Sequence, residues 1–162
     1  MTMRIRTAAP ADLDAVAAIE AECFPPAEAA GRGSLAGRLA AYPDHFWLLE
    51  DEGQVVGFVN GMCTDSPDLA DEMYDRPALH DPQGAWQMIF GVDTIPAYRR
   101  CGCAAMLLEH VIAEAKAEGR RGVVLTCKDR LVHYYAKFGF ADEGVSASTH
   151  GDVVWHQMRL TF

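Results

Sequence analysis

The chain has 162 residues, half of them hydrophobic, and carries 14 Lys/Arg against 23 Asp/Glu for a formal net charge of −9. That length suits one domain, residues 1–162, whose core needs no staples. The acidic balance argues against nucleic acid as a partner, and no apolar run is long enough to span a bilayer. The five cysteines (Cys23, Cys63, Cys101, Cys103, Cys127) form no paired CxxC set, so no metal is expected. With no apolar leader at the start, reduced thiols in a cytoplasmic protein are the simplest expectation.

Taken in order, "MRIRTAAPADLDAVAAIEAECF" reads as a short strand and then a helix. Pro10 and Asp12 sit where helices begin, and Leu13, Val16, Ile19 and Phe24 recur at helical spacing. "FPPAEAAGRGS" breaks that pattern, and "SLAGRLAAY" is a second short helix. "HFWLLEDEGQVVGFVNGMCT" is a β-hairpin turned at Glu52-Gly53-Gln54. Ser66 to Gly84 is a polar, acidic insert; "AWQMIFGVDT" is a buried strand and "IPAY" a short loop. From Cys103 to Glu118 the pattern is amphipathic, with Leu107, Leu108, Val111, Ile112 and Ala115 on one stripe and Gly119 as the stop. "GVVLTC" is a continuous apolar strand of the kind parallel sheets bury. "LVHYYAKFGF" is a short helix ended by Gly139, and strands at Glu143 to Ser148 and Val153 to Leu160 finish the chain. The order β-α-α-β-β-β-α-β-α-β-β predicts an α/β (α+β) layer fold, with helices packed on one central sheet.

The charge is unevenly spread. Arg99 to Lys137 carries a net +4, while the rest of the chain sums to −13. Within "YRRCGCAAMLLEHV", Arg99 and Arg100 stand at a helix start, where the helix dipole disfavours cations. A strand, a loop of Arg-Arg-Cys-Gly-Cys-Ala and a helix place several unpaired N–H groups at one point, which suits a phosphate or pyrophosphate. Gly102 lets a ligand approach the main chain, and the arginines add charge-assisted bonds. On these letters alone a plain helix start with a tight-turn glycine is the commoner meaning, since neither GxGxxG nor a P-loop is present.

Arg99-Arg100-Cys101-Gly102-Cys103-Ala104 resembles the (Q/R)-x-x-G-x-(G/A) loop of the GNAT N-acetyltransferase superfamily, between that family's usual strand and helix. The element order over the whole chain is similar too, which implies a mixed sheet of about six to seven strands with helices on both faces. "LTCKDRLVHYYAKFGF" and "ECFPP" resemble segments of the arylalkylamine N-acetyltransferases within it. The resemblance implies acetyl transfer from acetyl-CoA to a primary amine on a small, hydrophobic molecule. It assigns the main chain of Val92, Asp93 and Thr94 to the pantetheine arm and an oxyanion-holding N–H, residues 99–104 to the pyrophosphate, and the general acid to Tyr135, with Tyr134 as fallback. Leu131, Tyr135 and Phe138 also share a helix face, so Tyr135 reads equally as a core residue on its spacing.

The base is where this sequence departs from its relatives, because Met88 and Phe90 stand where the vertebrate serotonin enzymes carry histidines. Glu28, Asp71 and Glu72 are candidate replacements, with His45, His80 and His133 behind them. Phe24, Pro25, Met88 and Phe90 would supply an apolar wall for the amine. Asp65 to Asp81 holds six carboxylates with Met73, Tyr74 and Leu79 interspersed, so a mobile acidic lid over a cationic substrate and a solvated loop are both open. Cys101 and Cys103, at a helix N-terminus beside arginines, are expected to have lowered thiol pKa values. Acetylation of a protein, peptide or polyamine, and a CoA-binding module without catalysis, remain alternatives, as do monomer and homodimer.

Overall fold

Hydrophobic periodicity becomes two sheets, not one. The computed structural model describes residues 2–162, and among them are nine strands and five α-helices. The strand expected over 86–94 breaks at Phe90, giving β5 (Trp86–Ile89) and β6 (Gly91–Thr94), which belong to different sheets. Two compact units follow: the stretch ending at Gly61 together with Gly91–Val111, and Met62–Phe90 together with Ile112–Phe162.

The first unit holds β1 (Met3–Thr7), α1 (Leu13–Cys23), α2 (Arg32–Ala41), β2 (Phe46–Asp51), β3 (Gln54–Asn60), β6 and the start of α4 (Cys103–Ala117). Its sheet is antiparallel throughout, in the order β1-β2-β3-β6, so β6 is an edge strand. The β2–β3 hairpin turns on two residues with positive φ, Glu52 (49°) and Gly53 (85°), as the right-handed twist of paired strands requires. Val16 and Ile19 of α1 and Leu35 and Leu39 of α2 bury against Phe46, Leu48 and Phe58. The Phe46 and Phe58 rings stack at 5.3 Å. Arg6 ties the entry of α1 to the sheet, bonding Asp12 at 2.7 Å and Glu50 at 3.0 Å.

The second unit holds β4 (Cys63–Thr64), α3 (Glu72–Asp75), β5, the end of α4, β7 (Gly122–Cys127), α5 (Val132–Ala136), β8 (Ala141–Val145) and β9 (His156–Thr161). Its sheet runs β4-β5-β7-β9-β8, with β5 and β7 parallel. The apolar run "GVVLTC" is β7, buried along almost its whole length as a central strand must be. The last two strands begin and end a few residues from the expected bounds. The acidic insert is not an open loop: it contains α3, a 3-10 turn at Pro77–Leu79, and the buried side chains of Leu69 and Met73.

Gly57 is buried on β3, and a Cβ there would lie 2.5 Å from the Asp93 carbonyl oxygen of β6. Gly57→Ala therefore has to push β6 off its sheet, and is expected to cost about 1–3 kcal/mol, the usual range for overpacking. A urea unfolding midpoint unchanged from that of the parent chain would refute this.

Candidate functional site

Register decides what β6 offers. Ile95 N–H bonds the Val56 carbonyl at 2.9 Å, and the ladder continues with Thr94 opposite Gly57, Asp93 opposite Phe58 and Val92 opposite Val59. Hydrogen-bonded and non-bonded pairs alternate in an antiparallel ladder. Asp93 therefore turns its N–H and C=O into the sheet, while Val92 and Thr94 turn theirs to the open edge. The Thr94 carbonyl already accepts bonds from Arg99 Nε at 3.2 Å and Cys23 Sγ at 3.3 Å. What the edge leaves for a ligand is the N–H and C=O of Val92 and the N–H of Thr94. Of the three residues the resemblance assigns to main-chain pairing, Asp93 faces the other way.

After β6 the chain makes a 3-10 turn at Pro96–Tyr98, where Tyr98 O–H donates to Asp51 Oδ2 at 2.7 Å and anchors the turn to β2. Arg100 (φ 62°) and Gly102 (φ 78°) both take the left-handed conformation. For arginine this is uncommon and costs strain; for glycine it is free. The Gly102 carbonyl accepts the first helical bond of α4, from Met106 at 3.0 Å. With a glycine at the cap there is no side-chain oxygen to reach back, so helix geometry leaves the first N–H groups, from Cys103 onward, without a preceding turn. A Cβ at Gly102 would meet nothing within 4 Å, so the left-handed backbone and not crowding favours glycine here. Arg99, Arg100 and Cys101 are exposed and Ala104 half-buried. Cationic side chains and open amides fit an anionic group such as a diphosphate.

The cysteine expectation fails at Cys103. Cys103 is only 2 % exposed, and burial, with Cys101 and Asp51 nearby, pushes its thiol pKa up. Its side chain points inward from the helix start, and removal from water outweighs the dipole. Cys101 stays exposed.

Beneath β6 lies a polar cluster that the sequence reading missed. Asp93 is fully buried, and neither carboxylate oxygen receives a bond from a donor. Its titratable neighbours are Glu20 and Cys23 of α1 and Arg38 of α2, with Glu20 within hydrogen-bonding reach. Burial first, then the Glu20 carboxyl, hold Asp93 well above the ordinary carboxylate range, against the pull of Arg38. Arg38 Nη1 bonds Asn60 Oδ1 at 3.0 Å, and Glu20 Oε2 accepts the Ala30 N–H at 2.8 Å. Glu20 thereby holds the end of the α1–α2 loop that carries Phe24, Pro25 and Glu28. Phe24 and Glu28 are half-buried and Pro25 exposed. The signal was legible: Glu20 and Arg38 occupy stripe positions otherwise filled by Val16 and Ile19, and by Leu35 and Leu39.

In the second unit, Tyr135 is 8 % exposed, with its ring 5.2 Å from Tyr134 and 6.2 Å from Phe140. Met88 is fully buried on β5, so it is a core side chain and not part of an open wall. Phe90 is half-buried against Tyr74 at 4.8 Å, and Tyr74 stacks on His150 at 5.3 Å. Tyr74 also shares a hydrogen bond with Thr126 at 3.2 Å. The insert carboxylates are committed internally: Asp65 to the Ala85 N–H, Asp68 to Arg159 and Gln157, Asp71 to Ser148 and Thr149, Glu72 to Arg76, and Asp81 to the Gln83 N–H. The insert is thus pinned to the fold by several of its carboxylates. Of the candidate bases, Asp71 is engaged by Ser148 and Thr149, and Glu72 by Arg76 in an exposed pair. His80 Nδ1 accepts the Cys63 N–H at 3.0 Å, His45 is buried beside Asp44, and His133 is exposed.

An edge strand with outward amides, followed by an arginine-flanked, glycine-capped helix start, suits a diphosphate-bearing acyl carrier such as an acyl-CoA. The chain belongs to the acetyltransferase (GNAT) family, whose profile matches residues 13–140, and acetyl-CoA is the co-substrate of that family. It is 29 % identical over 112 residues to the serotonin N-acetyltransferase of Mesocricetus auratus, a match covering 68 % of this chain and 53 % of that one. The chain thus spans about half the length of that curated relative. Among solved structures, the GphF GNAT-like decarboxylase in complex with isobutyryl-CoA is similar with a TM-score of 0.84 and 27 % identity over 98 % of both chains. The loading GNATL domain of CurA from Lyngbya majuscula superposes with a TM-score of 0.86 at 17 % identity, covering 99 % of this chain and 98 % of that one, a likeness of fold.

With iodoacetamide, Cys101 is expected to be modified first and to be protected by CoA. Cys103, Cys63 and Cys127 are buried, and burial pushes Cys127 up to about 11, so all three should lag. Peptide mapping that finds Cys103 labelled ahead of Cys101 would contradict this ordering.

Proposed function

We propose that the chain transfers the acetyl group of acetyl-CoA to the primary amine of a small hydrophobic or arylalkyl molecule. One observation carries the reading: the outward amides of Val92 and Thr94 lie on the strand that leads directly into the glycine-capped start of α4. The edge pairs with the pantetheine arm, and one of its N–H groups faces the thioester carbonyl as charge develops there. A donor of that kind is worth about 3 kcal/mol in other acyl transfers. Arg99, Arg100, Cys101, Gly102, Cys103 and Ala104 hold the diphosphate through main-chain N–H groups and guanidinium charge. Tyr135 protonates the departing thiolate, whose pKa is near the 8.5 of an ordinary thiol. Phe24, Pro25, Glu28 and Phe90 remain the residues assigned to the amine. The aromatic side chains and the likeness to a serotonin acetyltransferase support an arylalkylamine.

A second reading rests on the whole-length likeness to a GNAT-like decarboxylase, and on the apolar Met88 and Phe90 where relatives carry histidines. There the bond between the α-carbon and a carboxylate breaks, its electron pair enters an enolate held by the same edge amide, and a proton then adds to carbon. That chemistry needs no amine.

CoA release is measured with phenethylamine, tryptamine, spermine, an aminoglycoside and a basic peptide, alongside CO2 release from a 2-carboxyacyl-CoA. The arylalkylamines are expected to turn over, and Tyr135→Phe to lower kcat by about 10²–10⁴-fold while acetyl-CoA affinity is kept. Full activity in that variant removes the acid role. CO2 without amine turnover selects the second reading, and binding without any turnover an inert module.

A further inference from the structure

We propose that the Tyr98–Asp51 hydrogen bond is the positioning device of the diphosphate site, holding the loop from Arg99 to Gly102 ready for the coenzyme. This rests on the assignment of residues 99–104 to the diphosphate, and on no reading of the amine.

The loop does little to hold its own shape. Arg100 stands in the left-handed region at φ 62°, a strained place for a residue with a side chain. Such strain persists only where the surroundings over-determine it. Among the described residues, the loop's own bonds are weak: Arg99 N–H to the Pro96 carbonyl at 3.3 Å, and Cys101 Sγ to the Arg99 carbonyl at 3.6 Å. Its two ends are fixed from β2 instead. Just before the loop, Tyr98 O–H donates to Asp51 Oδ2 at 2.7 Å. Just after it, Cys103 is buried with Asp51 among its titratable neighbours. The chain thus leaves and returns beside one carboxylate. That carboxylate is itself held, because Oδ1 accepts the Thr2 N–H at 3.1 Å and Asp51 pairs with Met3 in the β1–β2 ladder. The bond to Asp51 also pushes the Tyr98 phenol above its usual range, so the hydroxyl stays a donor.

Charge makes the inference sharp. By Coulomb's law alone, an aspartate beside an anion site weakens the binding of a diphosphate, and its removal would tighten that binding. A positioning role has the opposite sign. Without Asp51 the loop samples other shapes, and only the fraction of chains in the competent shape can bind. Salt screens a half-exposed charge, whereas a hydrogen bond to a carboxylate is among the stronger kinds, so the positioning effect wins.

The test titrates CoA by calorimetry into the parent chain, Tyr98→Phe, Asp51→Ala, Asp51→Asn and the double variant Tyr98→Phe/Asp51→Ala. Urea midpoints show that each chain folds. Tyr98→Phe and Asp51→Ala are each expected to raise the Kd about tenfold, and the double variant little further, because both remove one bond. Asp51→Asn keeps a side-chain oxygen to accept from the phenol, so it should retain most of the affinity. Pantetheine, which lacks the diphosphate, is followed by NMR at millimolar concentration and should not distinguish the five chains. Tighter CoA binding by Asp51→Ala, an unchanged Tyr98→Phe, or an Asp51→Asn loss equal to that of Asp51→Ala would each overturn the proposal. Equal losses for CoA and pantetheine would do so too, as the mark of a general loosening of the fold. If the parent chain binds CoA no more tightly than pantetheine, the diphosphate assignment falls and the positioning with it. If it prefers CoA and the variants keep that preference, only the positioning falls.

Discussion

One main-chain pairing, Asp93 of β6 against Phe58 of β3, decides which groups β6 buries and which it turns to the open edge. It turns the polar backbone of Asp93 into the sheet and its carboxyl toward α1, and by alternation it turns the amides of Val92 and Thr94 outward. The open edge and the acid buried behind it are therefore two consequences of the same register. A slip of one residue would exchange them, putting an apolar side chain under the sheet and an acid on the edge.

That register is maintained at a cost. An apolar residue at position 93 would be buried without removing a charge from water, and buried ionic groups are often less favourable than hydrophobic ones of similar size. The positive charge of Arg38, itself bonded to Asn60, reduces the penalty without cancelling it. Local instability of this kind is expected where a site is selected for chemistry. Glu20 has a further duty, since its second oxygen holds the Ala30 N–H, so the group that stabilises the acid also fixes the α1–α2 loop.

The sequence carries the helical stripes of α1 and α4, the Glu52-Gly53 hairpin and the buried β7 openly, because each is a local pattern of period two or 3.6. The loop from Arg99 to Ala104 was legible for the same reason: its glycine, its arginines and its helix are contiguous. The break at Phe90 was not, because Met88 to Val92 holds no polar side chain to mark it and only long-range pairing decides that β5 joins β7 while β6 joins β3. Cys103 was misjudged because proximity to a helix start was visible and inward orientation was not. The committed carboxylates of the insert escaped similarly. The partners of Asp68 and Asp71, namely Arg159, Gln157, Ser148 and Thr149, lie near the other end of the chain. Glu20 and Arg38 announced themselves as charges on apolar stripes, yet nothing local linked them to Asp93.

The break at Phe90 also narrows where strand-borne proton chemistry can reside. β5 is a central strand between β4 and β7, its Met88 and Ile89 are buried and its polar Gln87 is bonded within the sheet, so it offers no basic group. β6 offers Asp93. A lone carboxylate in water, with a pKa near 4, is too weak a base to take a proton from an alkylammonium at neutral pH. Burial, and the Glu20 carboxyl beside it, hold Asp93 above that range, so it is the group on these two strands whose proton is kept more tightly than in water.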